Sequence, residues 1–389
     1  MKVLTIGSDR KLFEENSDVR RRVIDYGTLF DELHIVIFTT RFKNNDLRFK
    51  NTKIADTIWI YPTNSWSKIF YIIDAVRIGK QIIYNAKFQQ GDSVISTQDP
   101  FEAGLVGWLL KRATHIPLQL QIHTDFLSPY FGRGSLLNRI RVKIALFLIP
   151  KANGIRVVSK RIRDSLRVQI NSPTKLRTGD QKLKIAVLPI YVACESYAPQ
   201  RNYTLSRKNF VLLMASRFER EKNIGLAIDA FGEFKKEHPK IPISLEIHGE
   251  GSLEKRYILR IKEKGLENSI FILRTKNLTD VFFDRGDIFL LTSHYEGYGR
   301  TVIQAMMAGC PVIMTDVGIA GDVIQNEKNG IIIPVGDKEA LKKAILDLYK
   351  NKGKRVEIGA RAKEDIAGYI YKNREEYLKQ YKQALEECL

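Results

Sequence analysis

The strongest constraint on this chain is a rhythm that repeats in both of its halves. Short apolar runs recur at residues 3–6, 33–38, 58–60, 94–96, 118–122, 154–158 and 185–188, and again at 210–214, 243–247, 270–273, 288–291, 311–314 and 330–333. Helical patterns, such as those over 67–85 and 101–112, separate most of them. Strand and helix in repeated alternation predict parallel sheets covered on both faces, so the expected class is α/β with two doubly wound, Rossmann-like domains. A length of 389 residues is too great for one ordinary core and fits two. The predicted first domain spans 1–196 and the second 207–365, with the join near 197–206, where Pro199 and polar residues interrupt the pattern. Beyond residue 337 the chain reads as helical, over 338–350 and from about 356 to the end.

The chemistry concentrates in residues 293–324, SHYEGYGRTVIQAMMAGCPVIMTDVGIAGDVI. Gly297, Tyr298 and Gly299 break the chain just ahead of a helical run from Arg300 to about residue 308. A glycine-flanked helix start leaves backbone N–H groups pointing outward with the positive end of the helix dipole behind them, which is a ready site for phosphate near Thr301. Glu296 sits at the lip of that site. Gly309 ends the helix, a new strand follows, and residues 315–318 lie at its carboxyl end, where open parallel sheets hold ligands.

This ordered string resembles the signature of retaining nucleotide-sugar glycosyltransferases of family 4: a Glu, then Gly-aromatic-Gly, a second Glu eight residues after the first, and a helix leading into Ala-x-Gly-x-Pro-Val-Ile. Glu296 occupies the first acidic position, and Gln304 replaces the second. The resemblance implies the GT-B architecture, two Rossmann-like domains facing across a cleft, with residues 366–389 forming a helix that crosses back onto the first domain. It places Glu296 against the donor sugar and position 304 on the ribose, where a glutamine can accept and donate but brings no charge. Arg217 and Lys222, five apart and followed by Asn223 and Ile224, match the family's cation pair, suited to the charge building on a departing diphosphate. His123, at the end of run 118–122, matches a histidine that faces the donor sugar. Gly7 lies where relatives let diphosphate and acceptor approach, Gly249 belongs to a second Gly-x-Gly loop near the nucleotide, and Thr275 with Lys276 falls where relatives contact the base.

The implied activity is transfer of a hexose-type sugar, with retention, from a nucleoside-diphosphate sugar to a glycan or lipid-linked acceptor in cell-envelope or exopolysaccharide synthesis. No Asp-x-Asp occurs in the chain, so no cofactor and no metal are expected, the cations at 217 and 222 serving instead. Two other readings stay open: a catalytically weakened nucleotide-sugar-binding protein, and another GT-B enzyme such as a nucleotide-sugar epimerase. NAD chemistry is disfavoured, because no Gly-x-Gly-x-x-Gly follows the first strand.

Charge speaks to partners. The net charge is +19, and residues 133–184 hold 14 basic residues against Asp164 and Asp180 alone. Residues 135–149 place Leu136, Leu137, Ile140, Ile144, Phe147 and Leu148 at helical spacing beside Arg139 and Lys143. That stripe either packs into the first domain or, with the basic stretch beyond it, meets an anionic membrane surface. Nucleic acid is not expected as a partner, since the basic stretch lacks interleaved aromatic platforms. No leader-like segment opens the chain and no run reaches spanning length, so the expected location is cytoplasmic, peripheral on the inner face of the cell membrane. Cys194, Cys310 and Cys388 have no metal-ligand spacing.

Overall fold

A computed structural model describes residues 1–41, 49–170, 183–192, 209–275 and 283–389. The predicted join at 197–206, Cys194 and Lys276 lie outside the described residues. The chain divides into two compact units: Met1–Leu127 with Ser135–Pro189 and Arg374–Leu389, and Ser128–Gly134 with Ile190–Asn373.

The first unit holds an eight-stranded sheet built from β1 (Lys2–Gly7), β2 (Glu32–Ile37), β3 (Thr52–Ala55), β4 (Ile58–Pro62), β5 (Ser93–Thr97), β6 (Leu118–Ile122), β7 (Gly154–Val157) and β8 (Lys184–Val187). Its order is β3-β4-β2-β1-β5-β6-β7-β8. All neighbours are parallel except β3 and β4, an antiparallel edge pair that the apolar runs did not foretell. β5, β6 and β7 are buried along their whole length. The second unit holds a six-stranded, wholly parallel sheet from β9 (Phe210–Ala215), β10 (Ile243–His248), β11 (Ile270–Leu273), β12 (Ile288–Leu291), β13 (Val312–Thr315) and β14 (Ile331–Ile333), in the order β11-β10-β9-β12-β13-β14. Its core joins Leu212, Leu245, Ile247 and Leu290 to Ile228 and Phe231 of the helix Ile224–Glu237. The expected pair of doubly wound parallel sheets is therefore present.

Both sheets reverse their winding direction once. In the first the reversal lies between β1 and β5, in the second between β9 and β12. Loops leaving the carboxyl ends of such strand pairs diverge to opposite faces and open a crevice, the usual place for a ligand in this architecture.

Ser135 caps the helix Leu136–Leu148 by accepting from Asn138 N. Of its apolar stripe only Leu148 is fully buried, whereas Leu136 (72%), Leu137 (51%), Ile140 (47%) and Phe147 (47%) are exposed. Packing into the domain thus accounts for only part of the stripe: Leu148, half-buried Ile144 and the part of Phe147 that meets Trp108. The terminal helical region is two helices, Lys352–Ile366 in the second unit and Arg374–Glu386 in the first. The latter is held by an Arg374–Asp25 ion pair and by Lys184 Nζ donating to Glu387 O at 2.8 Å. Among the described residues, no helix is long and apolar enough to cross a membrane.

Candidate active site

In the second unit the site grows from the loops after β9, β10, β12 and β13. The β9 loop runs Ser216-Arg217-Phe218, and Phe218 is fully buried. It is zipped to the β10 loop by Ser216 N donating to His248 O (3.0 Å) and Phe218 N to Glu250 O (2.9 Å). A Cβ at Gly249 would stand 2.0 Å from Ser216 O, and one at Gly251 2.7 Å from Phe218 N. Only glycine permits this approach, so the Gly-x-Gly of the β10 loop sets the position of the Arg217 loop. Thr275 Oγ1 donates to Leu273 O and lies 3.2 Å from His248 Nδ1, which ties the β11 loop to the same cluster.

A short turn, Arg220–Lys222, then brings Lys222 back toward the sheet. Its Nζ lies 2.6 Å from Glu296 Oε1, and both side chains are largely covered, 15% and 11% exposed. Ser293 Oγ donates to the same oxygen at 2.8 Å. The β12 loop is stitched onto this turn, since Thr292 Oγ1 bonds the carbonyls of Lys222 and Asn223 and His294 N donates to Glu221 O at 2.7 Å. Arg217 is 69% exposed and, among the described residues, tethered only at Glu221, 3.1 Å away, leaving its guanidinium accessible to an anion. Gly297 and Tyr298 are buried, and burial pushes the Tyr298 phenol well up. Gly299, at φ 101°, turns the chain into the helix Arg300–Met307; Val302 N and Ile303 N donate to the Gly299 carbonyl at 3.0 and 3.4 Å, while Thr301 N has no backbone acceptor among the described residues. Gln304 lies in the second turn, 1% exposed.

Thus Lys222 and Glu296 meet at the reversal of the second sheet, one leaving β9 and the other β12, with Arg217 and the helix start on the same edge. Three contributors were given no individual role in the sequence. Ser293 adds a second donor to Glu296. Gly318, at φ 57°, lets the β13 loop approach so closely that a Cβ would stand 2.7 Å from Tyr298 O and 3.0 Å from Glu296 Cβ. Finally, Ser128–Gly134, far away in sequence, packs on the β12 loop: Tyr130 stacks on His294 at 5.2 Å, Phe131 meets Tyr295 edge-on, and Arg220 Nη1 donates to Gly134 O at 2.9 Å. Only a close glycine and a run of aromatics could have pointed to the last two.

In the first unit, Gly7 ends β1 at the sheet reversal. A Cβ there would meet Gln98 Oε1, which follows β5, at 2.2 Å. His123 follows β6 on the same edge, with Nε2 3.2 Å from Gln121 Oε1. Burial foremost, then Arg156 and Arg22, hold its imidazole neutral and bring its pKa down to about 3. No group of three His, Cys, Asp or Glu side chains suited to a metal occurs among the described residues.

Residues 199–365 match the family model described as Glycosyl transferases group 1. The chain is similar to an uncharacterized glycosyltransferase of Methanocaldococcus jannaschii, 26% identical over 335 residues that cover 86% of this chain and 84% of that one. Among solved structures, sucrose-phosphate synthase from Thermosynechococcus elongatus aligns with a TM-score of 0.77 at 18% identity over 98% of both chains. Anabaena HepE, solved in complex with UDP and glucose, aligns with a TM-score of 0.70 at 18% identity over 99% of both. The fold is that of the GT-B glycosyltransferases, and the family match together with that fold supports a GT-B glycosyltransferase.

Proposed function

We propose that this chain is a retaining, metal-independent glycosyltransferase that moves a hexose-type sugar from a nucleoside-diphosphate sugar to a glycan or lipid-linked acceptor of the cell envelope. The observation that carries the reading is the Lys222–Glu296 pair at the sheet reversal, beside an accessible Arg217 and a helix start. Arg217, Lys222 and the Thr301 N–H at the helix start meet the diphosphate and offset the charge that builds on it as the glycosidic bond breaks. In this reading they supply what a divalent cation supplies elsewhere. Glu296 accepts from hydroxyls of the donor sugar and so fixes its pose, with Lys222 and Ser293 fixing Glu296 in turn. His123, neutral, is given a hydrogen bond to the donor sugar on the resemblance alone. Gln304 takes the ribose through its amide. The Anabaena HepE complex makes UDP-glucose the first donor to try.

The exposed stripe supports a peripheral position on an anionic, inner membrane face. Leu136, Leu137, Ile140 and Phe147 lie on a helix that also exposes Arg139 and Lys143. The helix Tyr71–Asn85, preceded by exposed Trp66, Ile69 and Phe70, packs like it on the helix Glu102–Thr114 and exposes Ile73. Apolar side chains ringed by cations suit the headgroup region of an acidic bilayer.

The test is thermal-shift screening against UDP, GDP and ADP and their sugars, followed by measuring nucleotide release with chelator present. One nucleotide class should raise the melting temperature, and release should persist without metal. Binding without turnover in any donor and acceptor panel would favour the weakened binding protein, and dependence on added Mg²⁺ would remove metal independence. Flotation with phosphatidylglycerol vesicles at low salt should carry the protein up, and Leu137→Glu/Ile140→Glu should abolish this. A protein that stays down at low salt would remove the membrane reading.

A further inference from the structure

Beneath His123 lies a charged side chain that the transfer reaction does not use. Arg156, on β7, is 4% exposed and meets no carboxylate among the described residues. Its Nη1 donates to Gln121 Oε1 at 2.8 Å, and its Nη2 donates to Tyr377 Oη at 3.0 Å and to Leu188 O at 3.4 Å. The Tyr381 ring lies 5.0 Å from its Cζ. Both tyrosines belong to the helix Arg374–Glu386, and Tyr26 reinforces them by stacking on Tyr381 at 4.6 Å. A buried guanidinium held only by neutral acceptors and a ring face is costly to maintain, and such a cost calls for a consequence.

Its consequence falls on Gln121. A guanidinium can only donate, so the oxygen of the Gln121 amide must face Arg156. The amide nitrogen then points the other way, donating to Ser96 Oγ at 2.8 Å and to Tyr381 Oη at 3.1 Å. With Oε1 fixed as an acceptor, the 3.2 Å contact to His123 Nε2 requires a proton on that nitrogen. A neutral imidazole protonated at Nε2 keeps its lone pair on Nδ1.

We propose that Arg156 is a positioning residue which, through Gln121 and the Tyr377 and Tyr381 hydroxyls of the C-terminal helix, locks His123 as the Nε2–H tautomer and leaves Nδ1 to accept a hydrogen bond from a sugar hydroxyl. The direction of that last bond rests on the role given to His123 above; the tautomer lock does not. The C-terminal helix thereby sets the chemical state of a site histidine without touching substrate.

The experiment is ¹⁵N NMR of the imidazole nitrogens in the full chain at pH 8, with His123 assigned by the loss of its signals in His123→Gln. Wild-type protein should show His123 protonated at Nε2 only. Arg156→Met frees the amide to turn, so both tautomers should appear, while kcat falls about tenfold and KM for the donor stays within about twofold. Arg156→Lys, whose ammonium can likewise only donate to Gln121 Oε1, should keep the Nε2–H tautomer, whereas a purely structural role for Arg156 predicts that Arg156→Met leaves the tautomer unchanged. Should Arg156→Met fail to fold, Gln121→Leu removes the same acceptor and should likewise mix the tautomers. An Nδ1–H tautomer in wild type, or no change in the variant that folds, overturns the proposal. Full turnover by His123→Gln would instead remove the donor-facing role of His123 while leaving the tautomer result intact.

Discussion

Replacing Lys222 by Met separates two things the Lys222–Glu296 pair can do. The ammonium lies 2.6 Å from a carboxylate that is only 11% exposed, so its removal strands a charge whose other side-chain donor is Ser293. Breaking a fully buried pair costs about 3–5 kcal/mol, and residual wetting here reduces the expectation to about 2 kcal/mol. Glu296→Gln alone leaves the lysine without its anion and should cost about 1 kcal/mol. In Lys222→Met/Glu296→Gln neither charge is stranded, so urea unfolding should show the double variant more stable than the sum of the singles by about 1–2 kcal/mol. Activity should behave differently. On the proposed function each single variant removes a contact to the donor, so kcat/KM should fall about a hundredfold, or about 2.7 kcal/mol, and the double variant should not recover it. Additive stabilities within about 0.4 kcal/mol would refute the pair as drawn. Recovery of both stability and turnover in the double variant would make the pair a structural tie and refute its place in catalysis.

Three further outcomes follow from the same geometry. Gly318→Ala forces a Cβ against Tyr298 O at a φ of 57°, so it should lower stability by about 1–3 kcal/mol and displace Glu296, read as a lower melting temperature with a raised donor KM. Desolvation, opposed by hydrogen bonds from Phe101 N and Ala103 N, pushes Asp99 up to about 6 from 3.8. A raised carboxyl pKa means the folded state holds its proton more tightly. The contribution of Asp99 to stability is therefore greatest below 3.8 and is lost as pH rises through 6, so Asp99→Asn should raise the melting temperature at pH 8 by the equivalent of about 1–2 kcal/mol and leave it unchanged at pH 3.5. Gln304→Glu places a carboxylate at a position 1% exposed, which should destabilise the free protein yet tighten nucleotide binding in a titration; unchanged affinity would remove position 304 from the ribose.

Most of the scaffold was legible because strands buried on both faces are written as unbroken apolar runs, as Ile288–Leu291 and Val312–Thr315 are. The edge strand Thr52–Ala55 was not, since only one neighbour pairs with it and its residues stay partly exposed. Leu118–Ile122 is the instructive case. Leu-Gln-Leu-Gln alternates like a strand with one wet face, yet all five residues are buried, because Tyr381, Ala384 and Cys388 of the chain terminus cover the glutamine face. Nothing local announces a cover that arrives more than 250 residues later. The same holds for Tyr130 on His294. The periodicity of residues 135–149 revealed a stripe, but whether protein or solvent meets it is decided by neighbours that periodicity does not name. Lys222 and Glu296 were each legible as types, whereas their direct contact was not, because it depends on β9 and β12 being adjacent.

The most direct test of the central claim is release of nucleoside diphosphate from a nucleoside-diphosphate sugar by the purified chain, compared with its Glu296→Ala variant at equal stability and with chelator present. The account predicts measurable release by the wild type with at least one donor and loss of most of that rate in the variant, donor binding being retained in part. Equal rates in the two proteins, or no binding of any nucleoside-diphosphate sugar by the wild type, would contradict it.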